Sequence, residues 1–372
     1  MTMNPFKASS TSLLPELRRC DHVSLEERDI LIHAPGFEAR TMALIDATAG
    51  RPGATAILLK YHPPNDPRNR LADVRHGLLA RGLAIGENDI LEYNRFEPGD
   101  FEQRLQARLL VHGARRAFVD ISTMSKLAIM LVLGVCRAAD LDVRILYSEA
   151  ANYGPTEEEF ETARNNREIH RPTLQVFSGI HGVVRVNSLA SVAMQGQPTA
   201  ALVFMSFNDA LTQVLLNAVY PSRLFLINGR PPVHAWREKA TAWIHDQVRR
   251  EWEEDNPVQP SIGSETVGLP RRRASTLDYR ETVSLLLELY WELSVNYRVL
   301  LAPAGSKLQA VGCYLVRALH PDIHIEYPSA QGYLRSYSRD VGPRWILELG
   351  VLSRLLSTVS DAERREYLEI PT

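Results

Sequence analysis

The sequence lacks the short patterns that mark several common classes of functional site. Its 372 residues contain no CxxC, HxH or HExxH pair, no P-loop GxxxxGK[ST], no GxGxxG and no GxSxG. A zinc centre, a P-loop ATPase and a serine-hydrolase elbow are therefore not indicated, and we expect no metal and no cofactor. The three cysteines, Cys20, Cys136 and Cys313, lie far apart, and the last two fall in apolar helical runs. We expect buried thiols rather than disulfides or metal ligands.

Long apolar runs and an excess of charge are also absent. No run of about 18 apolar residues occurs, and residues 1–15 lack the continuous apolar segment of a secretory signal. We therefore expect a cytoplasmic protein with no membrane contact. The formal net charge of −2 argues against a surface built for nucleic acid, so direct DNA or RNA binding is not expected. A local basic run, Arg271-Arg272-Arg273, falls in a predicted loop.

What the sequence does contain is an alternation of short apolar strands and helical stretches. Hydrophobic residues make up 45% and charged residues 23%, which is typical of globular domains, and the length predicts two of them. The alternation predicts α/β architecture, with mainly parallel sheets and helices on both faces. The predicted strands cover residues 29–34, 55–61, 117–119 and 143–147 in the first half, and 199–205, 223–228, 297–302 and 323–327 in the second.

The second half repeats the first at a spacing of 181 residues. Lys126 and Lys307 are separated by this distance, and so are Tyr147 and Pro328. Similar loops in the same order indicate an internal duplication, which predicts two tandem Rossmann-like repeats. The expected organisation is a polar lead-in over residues 1–27, a first repeat with a short β extension over 28–197, a second repeat over 198–350, and a helical tail over 351–372.

The best-defined motif is Asp120-x-Ser122-x-x-x-Lys126, which lies between an apolar strand and an apolar helix. Ser122 and Thr123 offer hydroxyl and N–H groups at a helix start, and Lys126 can lean back over the same loop. Such a loop at the carboxyl end of a strand suits a phosphate or another anion without a metal. The alternative is that Ser122 or Thr123 only caps the helix and that Lys126 is solvated.

This pattern, Asp-x-Ser/Thr-x-x-x-Lys/Arg after a middle strand, resembles the signature of CARF domains, the Rossmann-like sensors of CRISPR and related anti-phage systems. Two fused copies also resemble the tandem CARF-like arrangement of SAVED domains. The resemblance implies nucleotide binding, with a cyclic or short oligonucleotide messenger held across paired loops. It covers residues 120–126 only. The second copy departs from the pattern, because Leu301 and Pro303 replace the Asp and the Ser, and this implies unequal half-sites.

The loops after the first strand of each repeat are expected beside these motifs, because the carboxyl ends of parallel strands share one edge. Gly36 permits close approach of a ligand, and Ser206 and Asn208 suit a base or ribose, with ordinary helix capping as the alternative. Tyr153 and Tyr333 are placed either to stack on a base or to pack half-buried. The expected ligand-binding residues are Gly36, Phe37, Glu38, Arg40, Asp120, Ser122, Thr123, Lys126, Tyr153, Ser206, Asn208, Gly305, Ser306, Lys307 and Tyr333, and no residue is assigned a catalytic role.

Three functions fit these features. The first is a sensor that binds a cyclic or short oligonucleotide second messenger in a cleft between two CARF-like repeats. It would signal in antiviral defence to an effector protein or through a homodimer, because no separate stretch is large enough for a familiar effector. The second is a metal-independent phosphodiesterase that degrades the nucleotide, with Lys126 or Lys307 stabilising phosphate charge, although no general base is evident. The third is a scaffold subunit of a defence complex that has kept the fold and lost the pocket.

Overall fold

The computed structural model describes residues 10–62, 68–165, 176–255 and 272–368, and Arg271 of the basic run lies outside them. The chain divides into two compact units. Unit 1 comprises residues 1–153 together with 338–372, and unit 2 comprises residues 154–337. No helix among the described residues has both the length and the apolar character needed to cross a membrane. The three cysteines are buried and unpaired.

Strands and helices alternate along the chain. The part before residue 154 contains β1 (Arg18–Arg19), β2 (Val23–Leu25), β3 (Asp29–His33), β4 (Thr48–Gly50), β5 (Thr55–His62), α1 (Leu71–Ala80), β6 (Ile90–Asn94), α2 (Phe101–Val111), β7 (Arg116–Asp120), α3 (Lys126–Ala138) and β8 (Asp142–Tyr153). Unit 2 contains α4 (Glu157–Asn165), β9 (Phe177–Val184), β10 (Thr199–Phe204), α5 (Asp209–Val219), β11 (Arg223–Arg230), α6 (Trp236–Asp255), β12 (Arg272–Ser275), α7 (Tyr279–Leu293), β13 (Arg298–Ala302), α8 (Lys307–Leu319), β14 (His324–Ile325) and β15 (Tyr327–Tyr333). The chain ends with β16 (Ser338–Val351) and α9 (Leu352–Leu368).

Unit 1 is built on a seven-stranded sheet in the order β1-β16-β8-β7-β3-β5-β6. The five strands from β8 to β6 run parallel, whereas β16 is antiparallel to β8 and β1 is antiparallel to β16. The central strand β3 is buried along its whole length, as expected for a parallel strand covered on both faces. Helix α3 is buried continuously over residues 127–133, which explains its unbroken apolar sequence.

Unit 2 contains a five-stranded parallel sheet in the order β12-β11-β10-β13-β14. This order reproduces the order β6-β5-β3-β7-β8 of unit 1. The helices α3 and α8 are both 13 residues long and begin at Lys126 and Lys307. A separate antiparallel pair, β9 with β15, completes the strands of this unit among the described residues. The predicted fold class, an α/β chain of two tandem Rossmann-like repeats with mainly parallel sheets, is confirmed.

Several local features differ from the expectations of the sequence. The chain returns to unit 1 at Ser338, because β16 pairs with β8 and supplies the hydrogen bonds that the long edge of β8 would otherwise lack. The units therefore divide the chain elsewhere than the predicted boundaries at residues 197 and 350. Part of the polar lead-in is ordered as β1 and β2. Arg272 and Arg273 lie in the strand β12 rather than in a loop.

Candidate functional site

The order of strands places a crevice at a defined position in each unit. In unit 1 the chain proceeds from β3 outward to β5 and β6, and then returns to the other side of β3 as β7. The crevice outside the carboxyl ends of the strands at such a reversal is where ligands bind in open α/β sheets. Two segments border it, the β3 loop (residues 34–38) and the β7–α3 loop (residues 121–125). They start side by side, because His33 and Asp120 are register partners.

A buried carboxylate organises the start of the β7–α3 loop. The side chains of His33 and Asp120 are 0% and 1% exposed, and His33 Nδ1 lies 2.7 Å from Asp120 Oδ2. The other carboxylate oxygen, Oδ1, accepts hydrogen bonds from Ser122 N at 2.9 Å and from Ser122 Oγ at 2.5 Å. The Ser122 hydroxyl in turn accepts a bond from Ser148 N in β8 at 2.8 Å. The side chains of Asp120 and Ser122 together therefore tie the start of the loop to β3 and β8.

Threonine hydroxyls join the two loops of the crevice. Thr123 Oγ1 donates to the Ala34 carbonyl at 2.7 Å and accepts from Thr41 Oγ1 at 3.1 Å, and Thr41 Oγ1 accepts from Gly36 N at 3.0 Å. A Cβ atom on Gly36 would lie 3.0 Å from Thr123 Cβ, so the close approach of the loops favours glycine there. The segment after Gly36 forms a short 3₁₀ turn, Ala39–Thr41.

The end of β5 supports the start of α3. Tyr61 Oη accepts a hydrogen bond from Ser125 N at 2.6 Å and donates to the Thr123 carbonyl at 3.3 Å. Ser125, rather than Ser122 or Thr123, is the N-cap of α3, and its hydroxyl accepts from Ala128 N at 3.2 Å. The predicted alternative, in which Ser122 or Thr123 caps the helix, is therefore wrong. The Ser122 hydroxyl bonds Asp120 and the Thr123 hydroxyl bonds the Ala34 carbonyl instead.

Lys126 is the unusual residue of this crevice. It is the first residue of α3, its side chain is half-buried, and its ammonium pairs with no acceptor among the described residues of the chain. Desolvation lowers the pKa of Lys126 from 10.5 to about 8. A cation that is partly removed from water without a counter-ion is unfavourable unless an anion joins it. The lysine thus fits the anion-binding role expected from the motif.

The other predicted residues of unit 1 bond to each other. Arg40 is 1% exposed, and it donates to Glu38 at 2.8 Å and to Tyr153 Oη at 3.1 Å. Glu38 also accepts a hydrogen bond from the Ser338 hydroxyl, and Tyr153 Oη accepts from Ala150 N. The structure therefore brings Glu38, Arg40 and Tyr153 together as a buried polar network, and their contact with a ligand stays a prediction. Phe37 lies under the Arg68 guanidinium, with the guanidinium carbon 4.1 Å from the ring centroid.

The loops of unit 2 are held by their own helix caps. Asn208 Oδ1 caps α5 by accepting from Ala210 N at 2.8 Å, and Ser206 Oγ accepts from Asn208 N at 3.3 Å. Ser306 and Gln309 form a capping box at α8, and the Ser306 hydroxyl donates to the Thr276 carbonyl at 2.7 Å. A Cβ atom on Gly305 would lie 2.1 Å from Gln309 Oε1, so glycine makes room for this cap. Capping, the alternative considered for Ser206 and Asn208, is what the structure contains.

The second copy of the motif differs in length as well as in residues. The last residue of β7 is Asp120 and that of β13 is Ala302, so five residues precede α3 and four precede α8. The register of the strands pairs Ala302 with Val203, whereas it pairs Asp120 with His33. An apolar pair thus stands where unit 1 has its buried ionisable pair. Tyr333 packs against Phe177 and Tyr337 with ring centroids 6.3 and 5.0 Å apart.

Sequence reasoning missed His33, Thr41 and Tyr61. A signal existed for His33, because a histidine that ends an otherwise apolar strand lies next to the motif aspartate once β3 and β7 are taken as neighbours. No comparable signal marks Thr41 or Tyr61, whose roles depend on contacts between distant parts of the chain. Among the residues that the structure describes, no group of three or more His, Cys, Asp or Glu is arranged to hold a metal ion.

Comparisons with known proteins give distant likenesses. No protein-family model and no curated protein matches the chain. Among solved structures, it is similar to a type III CRISPR defence DNA nuclease activated by cyclic oligoadenylate, with 11% identity, a TM-score of 0.42, and coverage of 80% of this chain and 65% of that one. It is also similar to CobK precorrin-6A reductase, with 10% identity, a TM-score of 0.20, and coverage of 81% and 88%. At these identities and TM-scores, neither likeness assigns a function to this chain.

Proposed function

We propose that this protein is a sensor that binds a phosphate-bearing nucleotide in the crevice of unit 1. The single observation that carries the proposal is the half-buried side chain of Lys126, whose ammonium has no partner among the described residues. It lies at the N-terminus of a helix, where backbone N–H groups also favour negative charge. The position at the strand-order reversal supports the same reading, because ligands of open α/β sheets gather there.

The class of ligand comes from the residues of the motif. A phosphate bound by one lysine and a helix N-terminus needs no metal ion. The resemblance of residues 120–126 to the CARF signature favours a cyclic or short oligonucleotide messenger over a simple phosphate. The protein would then act in anti-phage defence and pass its signal to an effector protein or through self-association. The aromatic ring of Phe37, at the border of the crevice, is suited to stack on a base.

A phosphodiesterase remains the second candidate, but the structure disfavours it. The imidazole of His33 and the carboxylate of Asp120 are the obvious candidate bases near the crevice, and they are 0% and 1% exposed. A general base must reach the proton that it removes, either directly or through one water. Both groups are also bonded to each other. Lys126, which is mostly protonated at pH 7 because its pKa is about 8, would mainly stabilise charge on a phosphate.

The proposal is tested with a panel of cyclic di-, tri- and tetranucleotides. Thermal unfolding of the full chain and chromatography of the nucleotide are followed in the same samples. A ligand at about 100 times its Kd stabilises the folded state by about 2.7 kcal/mol, which is a readily measured shift. We expect at least one nucleotide to stabilise the protein and to be recovered intact.

Two matched variants locate the site. Lys126→Met keeps the length and apolar stem of the side chain and removes the charge, and we expect it to abolish the stabilisation. Lys307→Met makes the same change at the equivalent position of unit 2, and we expect it to retain most of the response. Breakdown of the nucleotide would instead support the phosphodiesterase. Absence of any response in the wild type across the panel would refute the sensor and favour the scaffold.

A further inference from the structure

We propose that Asp120 is a positioning residue, which shapes the β7–α3 loop so that Lys126 faces the crevice and which does not itself contact the ligand. The proposal rests on the proposed function for its biological meaning, although its test needs no ligand. It assigns the aspartate of the motif a different task from the lysine. It also makes His33 the residue that holds Asp120 in place.

The first argument is that Asp120 is buried and that both of its carboxylate oxygens are already bonded within the protein. One carboxylate oxygen lies 2.7 Å from His33 Nδ1, and the other accepts two hydrogen bonds from Ser122. The side chain is 1% exposed. A carboxylate would in any case repel a phosphate, since both are negatively charged. The charge of Asp120 is tolerable close to an anion site because the carboxylate is buried and already bonded.

The second argument is the reach of the network. Ser122, which is bonded to Asp120, also accepts a hydrogen bond from Ser148 N in β8, and His33 connects Asp120 to β3. The next residue, Thr123, is bonded to the backbone of Ala34. The loop is therefore fixed at its first three residues before α3 begins at Lys126. Preorganisation of this kind means that a ligand need not order the loop when it binds.

The third argument is the contrast with unit 2. At the carboxyl end of β13, Ala302 pairs with Val203, whereas Asp120 at the carboxyl end of β7 pairs with His33. The β13–α8 loop (residues 303–306) is instead fixed from its far end, by the capping box of Ser306 and Gln309. The same topology thus holds a lysine-bearing helix in two ways. Only the arrangement in unit 1 depends on a buried aspartate.

Positioning and direct electrostatic attraction predict opposite changes in the pKa of Lys126 when the charge of Asp120 is removed. If the negative charge of Asp120 stabilised the ammonium directly, its removal would lower the pKa of Lys126 further below about 8. If Asp120 acts through the shape of the loop, its removal lets Lys126 move into water. The pKa of Lys126 then rises toward the ordinary value of 10.5.

The experiment is an NMR titration of the lysine side chains. The sequence contains five lysines, Lys7, Lys60, Lys126, Lys239 and Lys307, so reductive methylation with ¹³C-formaldehyde gives few signals. Lys126→Arg identifies the signal of Lys126. The pKa is then measured in the wild type, in Asp120→Asn and in Ser122→Ala. The serine variant removes the hydroxyl that donates to Asp120 and accepts from Ser148 of β8, keeps the Asp120 carboxylate, and reports on the loop even where Asp120→Asn fails to fold.

A matched control separates the local effect from general loss of stability. Asp29 is also a buried carboxylate on β3, paired with Arg116 of β7, but it lies four residues before His33, or about 13 Å away. We expect the pKa of Lys126 to rise in Asp120→Asn and in Ser122→Ala and to stay at about 8 in Asp29→Asn. A fall in Asp120→Asn would overturn the proposal in favour of direct electrostatics. An unchanged pKa in Ser122→Ala and in every folded sample of Asp120→Asn would overturn it outright.

The ligand panel distinguishes this proposal from the proposed function. With a nucleotide that stabilises the wild type, Asp120→Asn should weaken binding by about tenfold or more, the scale on which outer partners of a binding group change affinity. The salt dependence of binding should persist, because Lys126 is still charged. Failure of every nucleotide to bind would refute the sensor and leave the result of the NMR titration unaffected.

Discussion

Lys126→Met should make the protein more stable while it removes the proposed function. Desolvation lowers the pKa of Lys126 from 10.5 to about 8, which means that the folded state disfavours the charged form. Each pKa unit corresponds to about 1.4 kcal/mol, so the charged lysine destabilises the fold by at most about 3 kcal/mol at pH 7. The side chain is half-buried, so water screens part of this effect, and we expect about 1–3 kcal/mol. Methionine has a similar shape and carries no charge.

The predicted gain in stability of Lys126→Met over the wild type depends on pH. A lysine whose folded pKa is lowered destabilises the protein fully below about pH 8, where both states are protonated. The penalty decreases between pH 8 and 10.5 and vanishes above the unfolded value, because the unfolded state then loses its proton too. The difference in unfolding free energy between Lys126→Met and wild type should therefore be largest at pH 7 and close to zero at pH 10.5.

The assay is urea unfolding of both proteins at pH 7, 8.5 and 10, with Lys239→Met as a control at an exposed lysine. For units of this size, each kcal/mol also corresponds to about 2–4 °C in Tm. A variant that is less stable than the wild type at pH 7, with a difference that does not vary with pH, would refute the reasoning. It would mean that the ammonium is well solvated or paired, and the central observation of the proposed function would be lost with it.

Two further predictions concern unit 2. Burial lowers the pKa of His245 to about 4, and the ring bonds Thr212 through Nε2 and the Thr241 carbonyl through Nδ1. As the pH falls below 6.5, the unfolded state takes up a proton on this histidine and the folded state does not. The folded state should therefore lose stability, by up to about 3 kcal/mol near pH 4. Urea unfolding at pH 7 and 4.5 should show a smaller loss in His245→Gln than in the wild type, and equal losses would contradict it. Gly305→Ala should displace Gln309 and weaken the cap of α8 by about 1 kcal/mol. The effect should nearly disappear when measured in a Gln309→Ala background, and full additivity would show another cause.

The fold was largely predictable because its signals are local. Continuous apolar runs such as that of β3 mark buried parallel strands, and their alternation with helices leaves few topologies open. The spacing of 181 residues between Lys126 and Lys307 corresponds to the starts of two helices of equal length. The duplication was therefore visible in the sequence. The return of the chain to unit 1 was not, because the antiparallel pairing of β16 with β8 joins residues almost 200 positions apart.

The sequence indicates where the candidate site lies, but it does not indicate which partners its residues bond. A Ser or Thr hydroxyl at a helix start fits ligand binding and internal bonding equally well in a sequence, and the partner decides between them. The partners of Ser122 and Thr123 are Ser148 and Ala34, both distant along the chain. The motif also marks Lys126, and its contact with a ligand stays a prediction. Its half-burial, and the pKa shift that follows, depend on the elements packed around the start of α3.

The two repeats together suggest how a duplicated pocket becomes unequal. Each retains a lysine at the first position of the equivalent helix, although the loop before it is fixed by a buried aspartate in unit 1 and by a capping box in unit 2. A capping box stabilises its helix without any ligand, because it satisfies the free N–H groups internally. In unit 1 the side chain of Lys126 is half-buried and its ammonium is unpaired among the described residues, and the desolvation of the lysine costs stability. A cost of this kind is expected at a binding site, where a ligand removes it, and it is not expected in a purely structural repeat. If the first repeat is the binding repeat, as we propose, a nucleotide should protect Lys126 from amine-reactive reagents and leave the reactivity of Lys307 unchanged.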